Sequence, residues 1–343
     1  MTRAPWSREP GEVGEIPTMV SREERRYLHW LGRTQWQDHG HVLEIGPWLG
    51  GSTVCLAQGM RAGHAAPRHA LHAVDNFRWR EFMARYARLP LAPGDSFRPY
   101  FERNVARFGE LVRPRAAVLP DEAIAVDEWA DVTRAKSSES DAPFEWDDRE
   151  PIEILFIDGA KSWRGMRHLL AGVVGALKPG ESLLVAQDYK HWGAFWVPLF
   201  LQHVADVLTL EHDVRRGSTV TFRLERELPL ERILALPDHV GALDVQLAAH
   251  ALAQAADRLA ALGDDLGAAQ VELGAAMLAL HRGDRARASE VYRRACATWP
   301  RGADDHALRN AHERLSLSGV PELTSPPRIS RLARLKRRLL GRA

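Results

Sequence analysis

The segment that most constrains the fold is the run VLEIGPWLGGST, residues 42–53. An apolar stretch carrying Glu44 leads into a glycine-rich turn, and Ser52 and Thr53 then suit the start of a helix. Glycine lets a backbone approach a ligand closely, and a helix N-terminus presents N–H groups without partners inside the helix. The layout is typical of the first turn of a doubly wound α/β domain that binds a nucleotide or nucleoside.

Short apolar stretches alternate with helical patterns along the next 170 or so residues. We expect parallel strands at 41–45, 70–74, 112–119, 152–157 and 183–186, followed by an antiparallel pair at 208–214 and 219–224. We expect helices at 22–36, 52–60, 79–87, 97–108 and 163–177. The predicted fold is a Rossmann-like α/β sheet, mostly parallel with a terminal antiparallel hairpin, followed by a small all-α domain.

Acidic residues come at the carboxyl ends of several predicted parallel strands. They are Glu44, Asp75, Asp158 and Asp188. Ligands of open α/β sheets bind beyond the carboxyl ends of the strands. We therefore expect these carboxylates to gather on one rim of the sheet, at a binding site.

Bulk composition excludes several classes of protein. The chain has 343 residues and a net charge of +1, so the charge offers no support for a nucleic-acid partner. Cys55 and Cys296 are the only cysteines, which excludes a disulfide framework and a cysteine-based zinc site. The first residues lack an apolar leader, and no apolar run approaches a membrane span, so we expect a cytoplasmic location.

The composition and the spacing of apolar residues change along the chain, and these changes predict four parts. These are a flexible arm at 1–20, the α/β domain at 21–228, an α-helical domain at 236–320 and a basic amphipathic tail at 325–343. Part of the helical domain fits the second half of a tetratricopeptide unit, and a plain helical hairpin or oligomerisation element is the other interpretation. The residues that fit the unit are Gly283, Ala288, Tyr292, Ala295 and Pro300. The tail carries seven cations and no acid, and either contacts a membrane surface or a protein or stays solvated.

Three segments of the α/β domain resemble class I S-adenosylmethionine (SAM)-dependent methyltransferases. They are LEIG at 43–46 with Gly50, FIDG at 156–159, and LKPG at 177–180 with Leu184 and Val185. Within this class, the segments resemble the branch that contains macrocin-type sugar O-methyltransferases and cephalosporin hydroxylase-like proteins. That branch tends to read D-G-D-H-S-Y and H-D-Y after its fourth and fifth strands, where this chain has DGAKSW at 158–163 and QDY at 187–189.

The resemblance implies a SAM site at the predicted rim. The residues of this chain that match the family's cofactor-binding positions are Glu44, Gly46, Gly50, Ser52, Asp75 and Asp121. Glu44 and the two glycines would line the methionine part, and Asp75 would accept hydrogen bonds from the ribose hydroxyls. Asp121 lies on the loop expected near the adenine.

The resemblance also implies catalytic and metal-binding roles. Asp158 and Asp188 correspond to acids that hold a divalent ion such as Mg²⁺, although Ala160 and Tyr189 depart from the usual motifs. Asp158 is also expected to take part in catalysis. Lys161 stands at the offset of a general base in catechol-type enzymes, and His191 is the rival base.

The favoured hypothesis is SAM-dependent O-methylation of a hydroxyl on a small-molecule or saccharide acceptor. The alternative is a catalytically weak methyltransferase-like adaptor that recruits a partner through its helical domain and basic tail. A nicotinamide-dependent oxidoreductase is disfavoured by the missing G-x-G-x-x-G and by the terminal antiparallel pair. Assembly into a homo-oligomer is left open.

Overall fold

The computed structural model describes residues 4–120, 143–301, 303–321 and 323. These residues form two compact units. The first contains 4–120, 143–189 and 204–240, and the second contains 190–203 and the described residues from 241 onward. Asp121 and the tail at 325–343, which the sequence singles out, lie outside the described residues.

A seven-stranded sheet is the centre of the first unit, in the order β3-β2-β1-β4-β5-β7-β6. β7 runs antiparallel to β5 and β6, and the remaining pairs are parallel, which confirms the predicted Rossmann-like fold. The strands are β1 His41–Ile45, β2 Leu71–Asp75, β3 Val112–Ala116, β4 Ile152–Ile157, β5 Leu183–Ala186, β6 Leu208–Asp213 and β7 Val220–Leu224.

Ten α-helices lie in the described residues, numbered here in chain order. The first unit has α1 Arg22–Trp30, α2 Gly51–Gly63, α3 Arg98–Val105, α4 Trp163–Val173 and α6 Leu230–Leu234. The second unit has α5 Trp196–His203, α7 Val245–Ala261, α8 Asp265–His281, α9 Arg285–Thr298 and α10 His306–Leu317. Among these helices, none combines the length and apolarity that crossing a bilayer requires.

The helix predicted at 79–87 is only a 3₁₀ segment, Glu81–Arg85. The cause is local pairing, because Trp79 donates its N–H to the carbonyl of Asp95 and accepts from the N–H of Gly94. These contacts pair the backbone of Trp79 with the loop that follows rather than with a helical turn. The prediction of a full helix was therefore wrong.

The N-terminal segment differs from the loose arm that the sequence predicts. Trp6 is 5% exposed, and its ring lies 4.8 Å from that of Tyr27 and 5.6 Å from that of Trp30, both on α1. Thr18 packs so closely on Gly51 that a Cβ atom on the glycine would lie 2.6 Å from the threonine Oγ1. The described part of the segment is thus packed on α1 and on the start of α2.

The second unit includes a segment, 190–203, that the sequence assigns to the α/β domain. Within this unit the Lys190 ammonium, 1% exposed, donates to Asp264 Oδ2 at 2.9 Å. Phe195 packs on Gly274 of α8, where a Cβ atom would lie 3.2 Å from the Phe195 Cβ. These contacts join residues distant in sequence, so the local pattern of apolar residues did not reveal them.

Candidate functional site

The carboxyl ends of β2, β1, β4 and β5 lie side by side along one edge of the sheet. Ile45 of β1 is level with Val74 of β2 and with Ile157 of β4. The acids at these strand ends therefore lie on neighbouring strands of one rim, as the sequence predicts: Glu44, Asp75, Asp158 and Asp188. The strand order reverses between β1 and β4, which is the position where such sheets bind their ligands.

Glycines allow the turn after β1 to contact the turn after β4. Gly46 has a φ of 86°, and a Cβ atom there would lie 2.7 Å from the amide nitrogen of Gly159. A Cβ atom on Gly159 would lie 2.8 Å from the nitrogen of Gly46. Gly50, with a φ of 91°, turns the chain into α2. Only glycine fits this conformation and this close approach of two backbones.

Glu44 is fully buried behind the glycine turn. Its carboxylate accepts hydrogen bonds from Ser52 Oγ at 2.5 Å and from Thr53 Oγ1 at 2.6 Å. Burial raises the pKa of Glu44 to about 7, and the negative charges of Asp158 and Asp75 act in the same direction. Each carboxylate oxygen holds one hydroxyl of α2, so Glu44 fixes where this helix begins.

Asp75, at the end of β2, is half-buried and binds the neighbouring backbone. Its Oδ1 accepts the N–H of Phe77 at 2.8 Å, and its carboxylate also accepts the N–H groups of Trp48 and Asn76. Burial raises its pKa above the usual range. Trp48 and Phe77 have φ angles of 44° and 53°, a left-handed conformation that bulky residues rarely adopt. Asp75 thus joins two strained turns at the rim.

Lys161 lies between the two acids that end β4 and follow β5. Ser162 caps α4 by accepting the N–H of Gly165 at 3.0 Å, which holds Lys161 directly before the helix. The ammonium lies 3.0 Å from Asp158 Oδ1 and 3.0 Å from Asp188 Oδ2. The three side chains are only 24%, 21% and 19% exposed, so water screens their charges weakly.

This ion pair sets the protonation of both partners. Burial opposes the charge of Lys161, but Asp188 and Asp158 outweigh it and hold the lysine pKa above its usual range. Burial raises the pKa of Asp158 to about 7, against the opposing effect of Lys161. At neutral pH Lys161 is a cation and a hydrogen-bond donor, and Asp158 is the group poised to exchange a proton.

The donor set here does not fit the Mg²⁺ ion that the resemblance implies. Mg²⁺ requires near-octahedral oxygen coordination, and the Lys161 ammonium already contacts one oxygen of each acid. Among the described residues, no third histidine, cysteine, aspartate or glutamate joins Asp158 and Asp188 in a metal-ligating group. Lys161 supplies the positive charge that a metal ion would otherwise bring to the pair.

A buried carboxylate that sequence analysis missed supports Asp188 from behind. Glu24 of α1 is 3% exposed and accepts the N–H of Ser218 at 2.9 Å and the hydroxyl of Thr219 at 2.8 Å. The Ser218 hydroxyl lies 2.7 Å from Gln187 Oε1, and Gln187 in turn accepts the N–H of Asp188. The S-x-x-E pattern at the start of α1 predicts a capping box, which is present, but not this contact with the hairpin turn.

Two further residues, Trp163 of the DGAKSW segment and the predicted rival base His191, make contacts within their own units. Trp163 is fully buried, and its Nε1 donates to the carbonyl of Pro237 at 2.8 Å, so its ring packs in the core. His191 belongs to the second unit, where its Nδ1 accepts the N–H of Gly193 at 3.2 Å. The proposal of His191 as a base stays a prediction.

The family model described as a methyltransferase domain matches residues 43–189. Among solved structures, the O-methyltransferase NovP is 15% identical with a TM-score of 0.39, covering 61% of this chain and 83% of its own. Cofactor-bound Rv0187 from MTB is 18% identical with a TM-score of 0.36, covering 62% of this chain and 85% of its own. No curated protein matches the chain. The range matched by the family model contains the whole rim.

Proposed function

We propose that this chain, whose residues 43–189 match a family model described as a methyltransferase domain, transfers the methyl group of SAM to a hydroxyl oxygen of a small-molecule or saccharide acceptor. The observation that carries the proposal is the rim where a strained glycine turn lies beside a lysine held by two acids. SAM supplies, when bound, a methyl group activated by a positive sulfonium. The chain's own residues must position both substrates and accept the proton of the hydroxyl.

The cofactor would be held by the ends of β1 and β2. Gly46 and Gly50 carry no side chain that would block the approach of a ligand to the turn, and the half-buried Asp75 offers carboxylate oxygens to vicinal ribose hydroxyls. Glu44 and Ser52 act indirectly, because they bind each other and fix the turn. We assign them as positioning residues.

The acceptor hydroxyl would be handled by Lys161 and Asp158. The protonated Lys161 donates a hydrogen bond to the hydroxyl oxygen and orients it for in-line attack on the methyl carbon. Asp158, with a pKa near 7, takes the proton as the new carbon–oxygen bond forms and the carbon–sulfur bond breaks. Asp188 keeps Lys161 charged and in place.

The test is methyl transfer from isotopically labelled SAM to a panel of saccharides and phenols. Asp158→Asn should lower kcat/KM by about a hundredfold or more, since general base catalysis contributes at least that much. In the wild-type protein kcat/KM should rise with pH through about 7, as Asp158 loses its proton. Chelation by EDTA should leave the rate unchanged. A full panel without labelled product would contradict the proposal.

Lys161→Met separates the two candidate roles of the lysine. Without the ammonium, Asp158 and Asp188 repel each other, so the midpoint of the pH profile should move above 7 while activity at high pH survives. If Lys161 were the base, activity would vanish at every pH. The exposed Lys178 provides the matched control, because Lys178→Met removes a lysine outside the rim.

The adaptor hypothesis stays as a second proposal, favoured by one observation. The carboxylates of Glu44, Asp158 and Asp188 are all bound to other groups of the chain. A methyltransferase-like domain that has lost its activity would show the same internal contacts. An adaptor would capture a stable partner and release no S-adenosylhomocysteine with any hydroxylated acceptor. Full activity after deletion of residues 241–343 would speak against it.

A further inference from the structure

A cluster of histidines lies at the start of the strands, away from the rim. His41 is the first residue of β1 and His72 is the second residue of β2, while the rim is formed by the ends of these strands. The centroids of the two rings lie 4.7 Å apart, and Asp148 Oδ2 lies 3.3 Å from His41 Nε2. The histidine side chains are buried, and that of Asp148 is 27% exposed.

His72 has an unusual environment for a buried polar side chain. It is 5% exposed, and neither ring nitrogen has a hydrogen-bond partner among the residues that the structure describes. A neutral imidazole carries one donor and one acceptor, and burying either without a partner destabilises the folded protein. Burial lowers the pKa of His72 to about 4, with the positive charges of His41 and Arg113 acting in the same direction. The neutral form of imidazole is the one that binds metal ions.

We propose that His41, His72 and Asp148 form a binding site for a transition-metal dication, of which zinc is the best match. One ligand atom from each residue lies within 4.8 Å of the others. Tetrahedral zinc with bonds of about 2.0–2.1 Å places its ligand atoms about 3.3 Å apart, the present separation of His41 Nε2 and Asp148 Oδ2. Two imidazoles and a carboxylate leave a fourth position for water.

The surroundings of His41 can support metal binding. Its Nδ1 lies 2.9 Å from the N–H nitrogen of Ala70 and 3.3 Å from the Ala70 carbonyl oxygen. Without metal, Nδ1 accepts from the N–H and Nε2–H faces Asp148. Metal on Nε2 would move the proton to Nδ1, from which it could then be donated to the carbonyl, while the Ala70 N–H would give up its bond to Nδ1.

Charged groups from neighbouring elements also face the cluster. Arg113 and Arg115 on β3 oppose a dication, but Asp147 binds Arg115 at 2.6 Å and offsets its charge. Trp146 packs edge-on against His72, with ring centroids 5.0 Å apart, and limits access of water. The site is independent of the methyl transfer proposed above.

The test uses the full chain without a polyhistidine tag, stripped with EDTA and titrated with zinc or cobalt(II) alone. We expect about one metal ion per chain and the visible absorption of tetrahedral cobalt. Asp148→Asn should weaken zinc binding by about tenfold or more, and His72→Asn should act likewise if the variant folds. Glu145→Gln, which changes a nearby exposed acid, should bind zinc as the wild type does.

Two results would overturn the proposal. One is absence of stoichiometric metal uptake by the stripped wild-type chain, which would leave His72 as an unpaired core residue or a ligand of buried water. The other is equal zinc affinity for Asp148→Asn and Glu145→Gln. Because the readout is metal uptake, neither result bears on methyl transfer.

Discussion

Replacing Glu44 with glutamine tests how the glycine turn is built. The wild-type carboxylate is fully buried and, within the described part of the chain, accepts hydrogen bonds from two hydroxyls and from no cation. The amide of Glu44→Gln has the same shape, and its oxygen and NH₂ group can bond to the same hydroxyls of Ser52 and Thr53. The variant lacks only the charge, so the difference between the two proteins isolates the energy of ionising this group.

The magnitude follows from the pKa of Glu44. Folding raises it from 4.5 to about 7, and each pKa unit corresponds to about 1.4 kcal/mol. A raised carboxyl pKa gives stability that is fully present below the unfolded value and is lost as pH rises through the folded value. The free energy of unfolding of the wild type should therefore fall by about 2–3 kcal/mol, relative to that of Glu44→Gln, as the pH rises from about 5 to about 8.

The assay is urea unfolding of both proteins across this pH range, without SAM. Asp158 also has a raised pKa, but it is present in both proteins and largely cancels in the comparison. The free-energy difference should favour Glu44→Gln increasingly as the pH rises. A difference that stays constant with pH would refute the account of Glu44 as a buried group without a cationic partner.

Three further changes test the packing, each measured by urea unfolding. Gly46→Ala should cost about 1–3 kcal/mol more than Gly94→Ala, because both glycines have positive φ but only Gly46 has backbone within 3 Å of a new Cβ; equal losses would contradict this. Lys190→Met should cost about 3–5 kcal/mol by stranding Asp264, and Asp264→Asn should then restore part of the loss. Tyr27→Phe should cost about 1 kcal/mol by removing a buried hydroxyl that shares a hydrogen bond.

Local sequence patterns predict the sheet well because its strands are short apolar runs bounded by turn residues. β4 and β5 begin and end where the sequence places them, at Ile152–Ile157 and Leu183–Ala186. Buried parallel strands need apolar side chains on both faces, which gives an uninterrupted signal. The rim followed from the same pattern, since each acid lies within two residues of the end of such a run.

Other features depend on contacts between distant residues, which local patterns do not encode. Lys161 is predicted as a base from its offset, but its protonation depends on Asp188, 27 residues away. Glu24 reaches the hairpin turn 194 residues later in the chain. His72 looks like an ordinary strand residue until the neighbouring strand brings His41 beside it.

The central claim is that the rim at the ends of β1 and β2 binds SAM. Calorimetric titration with S-adenosylhomocysteine tests it directly, comparing the wild type with Asp75→Asn and with the exposed control Asp147→Asn. The account predicts about one site per chain, with affinity reduced by about tenfold or more in Asp75→Asn alone, since a hydrogen bond to a charged group contributes about 1.5–3 kcal/mol. Absence of binding to the wild type, or equal affinity in all three proteins, would contradict it.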